Sequence, residues 1–338
     1  MKKRENFPPI IFIFKGDFPD YAYDSLKINS YNTDNKIILV CDLNKIDKSK
    51  INNKIKIYEI KYFSFDLTNL KLEEKIKNYR DNFWLKTIER FFVLYKFAKY
   101  NNIEKFYHIE LDNILANISD LHFKLNKFHN KIFFPTYKNL AFGSFIYVNN
   151  LKILNIFCNF SLNKLKKKFY NDMELLALFA KNHPTKVLRL PTIDYLYDKN
   201  KNMSLLKSFT GLFDEARIGV FLFGNDPRNY CNVLINRRKY LTDKISFSYL
   251  KKFKFEIKKR NFILSFNNKK INIYNFHIHS KLINKVFIKK NYQKILNRSN
   301  NNLDTLIDFN FKNIFKLFFL DFRISRFSKF FNLIKRGL

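Results

Sequence analysis

A chain of 338 residues and 41.0 kDa is long enough for one large α/β domain or two smaller ones, either with a full core. With 46% hydrophobic residues, 41 Phe and 19 Tyr against 6 Gly and 7 Pro, the composition excludes a mainly disordered chain. A formal charge of +34 attracts polyanions, but no helix-turn-helix, zinc-finger spacing or aromatic RNA-binding strand motif is present, so nucleic acid is not expected as a partner.

The N-terminal "MKKRENFPPIIFIFKGD" starts basic, but its apolar run, "IIFIF" (10–14), stops at Lys15, too short for a signal-peptide core. No run approaches the roughly 18 apolar residues of a membrane span. "IIFIF" predicts a buried strand, "YAYDSLKINSYN" (21–32) a helix and "KIILVCD" (36–42) a second buried strand, a βαβ opening. "KIKIYEI" (54–60) alternates and predicts a third strand. A helix is expected over 81–100, with Trp84, Ile88, Phe91, Tyr95 and Ala98 on one face. "KFYHIELD" (105–112) returns as a strand. "KIFFPTY" (131–137) and "SFIYVNN" (144–150) predict further strands, "DMELLALFAKN" (172–182) a helix, and "NFILSFNNKKINIYNFHIHS" (261–280) a late hairpin. This alternation predicts an α/β fold whose largely parallel sheet is flanked by helices. Cys41, Cys158 and Cys231 are dispersed and odd in number, which fits a reduced, cytoplasmic setting.

In such sheets ligands gather beyond the carboxyl ends of the strands, where Glu110 and Asp112 fall. Alternation along a strand points both carboxylates the same way, a repulsive arrangement unless a cation lies between them. A solvated polar turn is the plainer alternative. "NFHIHSK" (275–281) adds His277 and His279, again two apart, followed by Ser280 and Lys281. Together these residues supply oxygen and nitrogen ligands for Mn²⁺ or Mg²⁺ and a lysine point charge for phosphate.

A βαβ opening, a strand ending in a D-x-D-like "ELDN" and a late His segment with a Lys resemble the GT-A glycosyltransferases of bacteria. "FWLKTIERFFVLYKF", "FYHIELDNIL", "GSFIYVNN", "NDMELL", "FDEARIGVFLFGNDPRN" and "NFHIHSK" follow one another like that group's blocks, over about residues 10–288. The resemblance implies a GT-A-like domain over 1–290, whose mixed, mostly parallel sheet binds a nucleotide-diphosphate sugar through a divalent cation. It makes Asp112 the surest metal ligand and places Glu110, in the position usually held by Asp, near ribose or the donor sugar, with Asn113 beside them. The second ligand is open between His277 and His279; His279 is favoured because it adjoins Ser280 and Lys281, where a diphosphate would be gathered. Arg90, on the preceding helix, is a candidate phosphate contact, with a solvated surface arginine as the alternative.

An acceptor hydroxyl calls for a base within hydrogen-bond reach. Candidates are Asp172 and Glu174 in "NDMELL" and Asp214 and Asp226 in "FDEARIGVFLFGNDPRN", where Gly219 and Gly224 mark backbone constraint. The alternative for Asp172 and Asp214 is that they cap helices. Residues 291–338 form a basic, Phe-rich tail in which Leu317, Leu320, Ile324, Phe327, Phe331 and Ile334 keep a helical rhythm opposite Lys and Arg; Phe318 and Phe322 break it. Such a helix would lie on anionic lipid or pack on the body of the protein.

The resulting expectation is a metal-dependent glycosyltransferase, peripheral on the cytoplasmic face of the cell membrane, acting on a surface-glycan or glycolipid acceptor such as capsule or lipooligosaccharide. The alternatives are a non-catalytic polyanion-binding protein or another nucleotide-sugar-dependent transferase. A sugar nucleotidyltransferase is disfavoured, since "FKGDFPD" after the first strand lacks the Gly-rich, basic loop.

Overall fold

The computed structural model describes residues 7–67, 70, 82–198, 200–201, 203–224, 244–266, 269–284 and 287. Its first half opens with β1 (Ile10–Phe14), α1 (Asp20–Asn32), β2 (Ile37–Cys41) and β3 (Lys56–Glu59). There follow α2 (Phe83–Tyr100), β4 (Phe106–Ile109), β5 (Asn113–Leu115), α3 (Leu121–Asn126), β6 (Ile132–Tyr137), β7 (Leu140–Ala141) and β8 (Phe145–Val148). The second half holds α4 (Leu151–Leu165), α5 (Asp172–Asn182), β9 (Val187–Leu190), α6 (Met203–Phe209), β10 (Gly211–Leu212), α7 (Arg217–Phe223) and α8 (Lys244–Leu250). It ends in β11 (Lys254–Lys258), β12 (Asn261–Phe266), β13 (Lys269–Ile273) and β14 (Asn275–His277).

The main sheet has the order β3-β2-β1-β4-β8-β6-β7, with β9 on β6. Strands β3, β2, β1 and β4 run parallel, and β8 turns antiparallel between β4 and β6. This is the mixed, helix-flanked α/β sheet expected. Alternation along its strands divides the core between two faces. Ile11, Ile38 and Val40 pack with the apolar side chains of α2, α4 and α5, while Ile10, Phe12, Leu39 and Cys41 pack with Ala22 and Leu26 of α1. Each such fully buried aliphatic or aromatic side chain contributes about 1.5–3 kcal/mol of transfer free energy.

The expected elements differ from the observed ones at two places that matter for function. Strand β4 stops at Ile109, and Glu110–Asp112 form a turn closed by the Asn113 N–H donating to the Glu110 carbonyl at 2.9 Å. The late hairpin, β12 with β13, ends at Ile273, and the chain then leaves it. Strand β14 pairs antiparallel with β5, setting Asn275 opposite Leu115 and His277 opposite Asn113. That short ribbon carries the "HIHSK" segment onto the "ELDN" turn.

Among the described residues no helix is long and apolar enough to cross a membrane. The tail expected over 291–338 lies outside the described residues.

Candidate active site at the carboxyl end of β4

The turn after β4 is held by buried amides. Asn113, fully buried, donates from Nδ2 to the Ser144 carbonyl at 2.8 Å and accepts from Asn275 Nδ2 at 3.0 Å. Asn29 of α1 donates to the Asn113 carbonyl at 3.0 Å and accepts the Leu115 N–H at 2.8 Å. The amide of Asn113, expected to contact a nucleotide sugar, is used inside the fold, joining β5 to its neighbours. Asn275 and Asn29 were missed as organising residues because asparagine in a strand or helix carries no distinctive spacing.

Glu110, Asp112 and His277 converge here. His277 Nε2 lies 3.3 Å from Asp112 Oδ2 and 3.6 Å from Glu110 Oε2, and one ligand atom of each residue lies within 4.8 Å of the others. The two carboxylates share a side because the turn bends them together, not because a strand alternates. His279 is not in this group; it follows the end of β14, its ring 4.3 Å from that of His277 between centroids. Of the two histidines, His277 is the one that β14 presents to the carboxylates.

The orientation of the His277 ring bears on what the group can hold. His277 Nδ1 lies 3.0 Å from the Glu215 carbonyl oxygen. A carbonyl can only accept, so Nδ1 carries the hydrogen, and Nε2 faces the two carboxylates. Two carboxylate oxygens and an imidazole nitrogen form a donor set that could hold a metal ion.

Two cations border the acids. Lys281, in a left-handed backbone conformation with φ 59°, pairs its ammonium with Asp112 Oδ2. Ser280 is buried beside it, and its Oγ has no hydrogen-bond partner. Arg90 is buried and spans two acids, pairing Nη1 with Glu110 Oε1 and Nη2 with Asp172 Oδ2 at 2.6 Å. Both ends of the guanidinium expected to meet a phosphate are paired with acids, and α2 is covered here by α4 and α5. Gly143 leaves the room, since a Cβ there would run into the guanidinium. Burial alone would raise the Glu110 carboxyl, but Arg90 and then His277 outweigh it and hold it down at about 2. Burial wins at Asp172, which is pushed above its ordinary value despite Arg90.

The base candidates fare differently. Asp172 is the first residue of α5, buried, and committed to Arg90. Glu174 completes a capping box with Asn171. Asp214 is fully buried and accepts the N–H groups of Ile218 (3.0 Å), Gly219 (2.7 Å) and His277 (2.9 Å). Both carboxylates are thus committed to partners inside the fold, Asp172 to Arg90 and Asp214 to three backbone N–H groups. Asp226 lies outside the described residues.

No family model and no curated protein matches the chain in sequence. Among solved structures it is similar to mouse xyloside xylosyltransferase 1 in its apo form, at 10% identity over 60% of this chain and 93% of that one, with a TM-score of 0.40. It is also similar to the apo glycosyltransferase GlyE of Streptococcus pneumoniae, at 9% identity over 70% and 51% of the two chains, TM-score 0.37. A third is the galactosyltransferase LgtC in complex with donor and acceptor sugar analogues, at 11% identity over 55% and 74%, TM-score 0.36.

Proposed function

We propose that the chain is a metal-dependent glycosyltransferase that moves a sugar from a nucleotide-diphosphate donor to a glycan or glycolipid acceptor. The observation that carries this reading is the convergence of Glu110, Asp112 and His277, with Lys281 against them, at the loop end of a parallel strand. Breaking the bond from an anomeric carbon to a diphosphate builds negative charge on the leaving group, which a Mn²⁺ or Mg²⁺ ion held by these three residues would stabilise as a Lewis acid. Lys281 adds a point charge for a phosphate oxygen, and the unpartnered Ser280 hydroxyl a hydrogen-bond donor next to it. Arg90, fixed by Asp172, holds Glu110 ionised and aimed toward His277. The surface-glycan acceptor and the membrane-peripheral location rest on the resemblance of the motifs and on the basic tail.

Replacing Asp112 by Asn tests the reading. With a panel of nucleotide sugars and Mn²⁺, the native chain should release nucleoside diphosphate, and the Asp112→Asn variant should lose at least about 100-fold of that rate while keeping its circular dichroism. Unchanged turnover in the variant would remove the site.

A further inference from the structure

The chain spends 6 glycines on 338 residues, and Gly219 stands where α7 passes β14. A Cβ at position 219 would collide with the His277 carbonyl oxygen, and would come 2.8 Å from the carbonyl carbon and 2.9 Å from Asp214 Oδ2. Those are distances at which real side-chain carbons do not sit, so any larger residue would displace either the helix or His277.

Asp214 holds the same junction from the other side. Its Oδ2 accepts the N–H of His277 at 2.9 Å and of Gly219 at 2.7 Å, and its Oδ1 accepts that of Ile218 at 3.0 Å. The neighbouring Asn275 brackets the Asp214 backbone, accepting its N–H at 3.1 Å and donating to its carbonyl at 2.8 Å. The next carbonyl, of Glu215, accepts His277 Nδ1–H at 3.0 Å. His277 is thereby gripped at its backbone N–H, its carbonyl and its ring Nδ1, leaving Nε2 toward Asp112.

We infer that Asp214 and Gly219 are positioning residues that hold the His277 backbone where its Nδ1 meets the Glu215 carbonyl and its Nε2 is directed at the carboxylates. The inference rests on the proposed metal-dependent reading. Outer contacts that fix ligand orientation in this way are worth roughly 10- to 100-fold in metal affinity. A helix-end role alone would give Asp214 and Gly219 an effect on stability and none on the ring.

The test uses the full chain in three variants, Gly219→Ala, Asp214→Asn and His277→Gln, beside the native protein. Imidazole ¹⁵N NMR of the metal-free chain reads the tautomer, and Mn²⁺ titration followed by electron paramagnetic resonance reads affinity. The native ring should be the Nδ1-protonated form, Gly219→Ala should bind Mn²⁺ roughly 10- to 100-fold more weakly with helical content retained, and His277→Gln should lose at least as much. A native ring with no hydrogen on Nδ1 overturns the inference without any variant having to fold. So does a loss in His277→Gln unaccompanied by any change in a folded Gly219→Ala. Equal Mn²⁺ binding by native protein and His277→Gln overturns the metal reading, and the inference with it.

Discussion

Lys281 reaches across 169 positions of sequence to place its ammonium on Asp112 Oδ2. The contact exists because β14 lies antiparallel on β5, so that the chain turns after His277 directly above the "ELDN" turn. Asp112 also faces His277, and its carboxylate therefore sits between the Lys281 ammonium and the His277 ring. Replacing Lys281 by Met should leave Mn²⁺ binding in place and weaken a nucleoside diphosphate by about 10- to 100-fold, the loss of one charge-assisted hydrogen bond of about 1.5–3 kcal/mol. Calorimetric titration in the presence of Mn²⁺ measures it, and an unchanged Kd would exclude Lys281 from the phosphate site.

Arg90 bridges Glu110 and Asp172 from within the core, and all three side chains are at least three-quarters covered. Truncation to Met leaves two carboxylates without their cation, a change that costs about 3–5 kcal/mol for a buried pair. Arg90→Lys keeps the charge but cannot fork between two acids, so its loss should be intermediate. Urea unfolding resolves the series; equal stability of all three proteins would show that the bridge contributes nothing net.

His108 gives a pH signature. It is buried in β4, its Nδ1 bonds to the Ile11 carbonyl at 3.0 Å, and burial first and Arg90 second lower its pKa from 6.5 to about 3. Between those values the unfolded chain binds a proton that the folded chain refuses, so stability is present above pH 6.5 and is lost as pH falls toward 3. The contribution approaches about 1.4 kcal/mol per pH unit within the window. Unfolding free energies of native protein and His108→Gln from pH 7 to 4 should diverge in slope by that amount, the native curve falling faster on acidification. Parallel curves would mean that His108 ionises equally in both states.

The basic tail makes a separate prediction from its sequence pattern. Removing residues 312–338 should abolish co-sedimentation with vesicles rich in anionic lipid, because each Lys or Arg near such a surface is worth about 1 kcal/mol. Full retention of the shortened chain on the vesicles would assign membrane binding elsewhere.

The fold was largely legible where one segment's pattern decides its state. The buried runs at 10–14 and 37–41, and the helix Asp172–Asn182 with its Asn171–Glu174 capping box, lie where periodicity and end signals put them. What escaped the sequence depends on distant pairing. A three-residue strand, Asn275–His277, has no signal that it will abandon its hairpin for β5, and that choice decides which histidine meets Asp112. Arg90 lies in a helix that is buried almost all round from Ile88 to Leu94, so the usual solvated position of a helix arginine did not apply. Gly219 stood out through scarcity alone, and its collision with His277 is visible only once α7 and β14 are packed.

The central claim is that Glu110, Asp112 and His277 bind a divalent cation together with a nucleotide. A thermal-shift series on the full chain, with nucleoside diphosphates and nucleotide sugars, with and without Mn²⁺, tests it most directly. Stabilisation should require nucleotide and Mn²⁺ together, amount to about 2.7 kcal/mol at a hundredfold excess over Kd, and vanish in Asp112→Asn. Equal stabilisation of native protein and Asp112→Asn, or stabilisation by any polyanion without Mn²⁺, would contradict it.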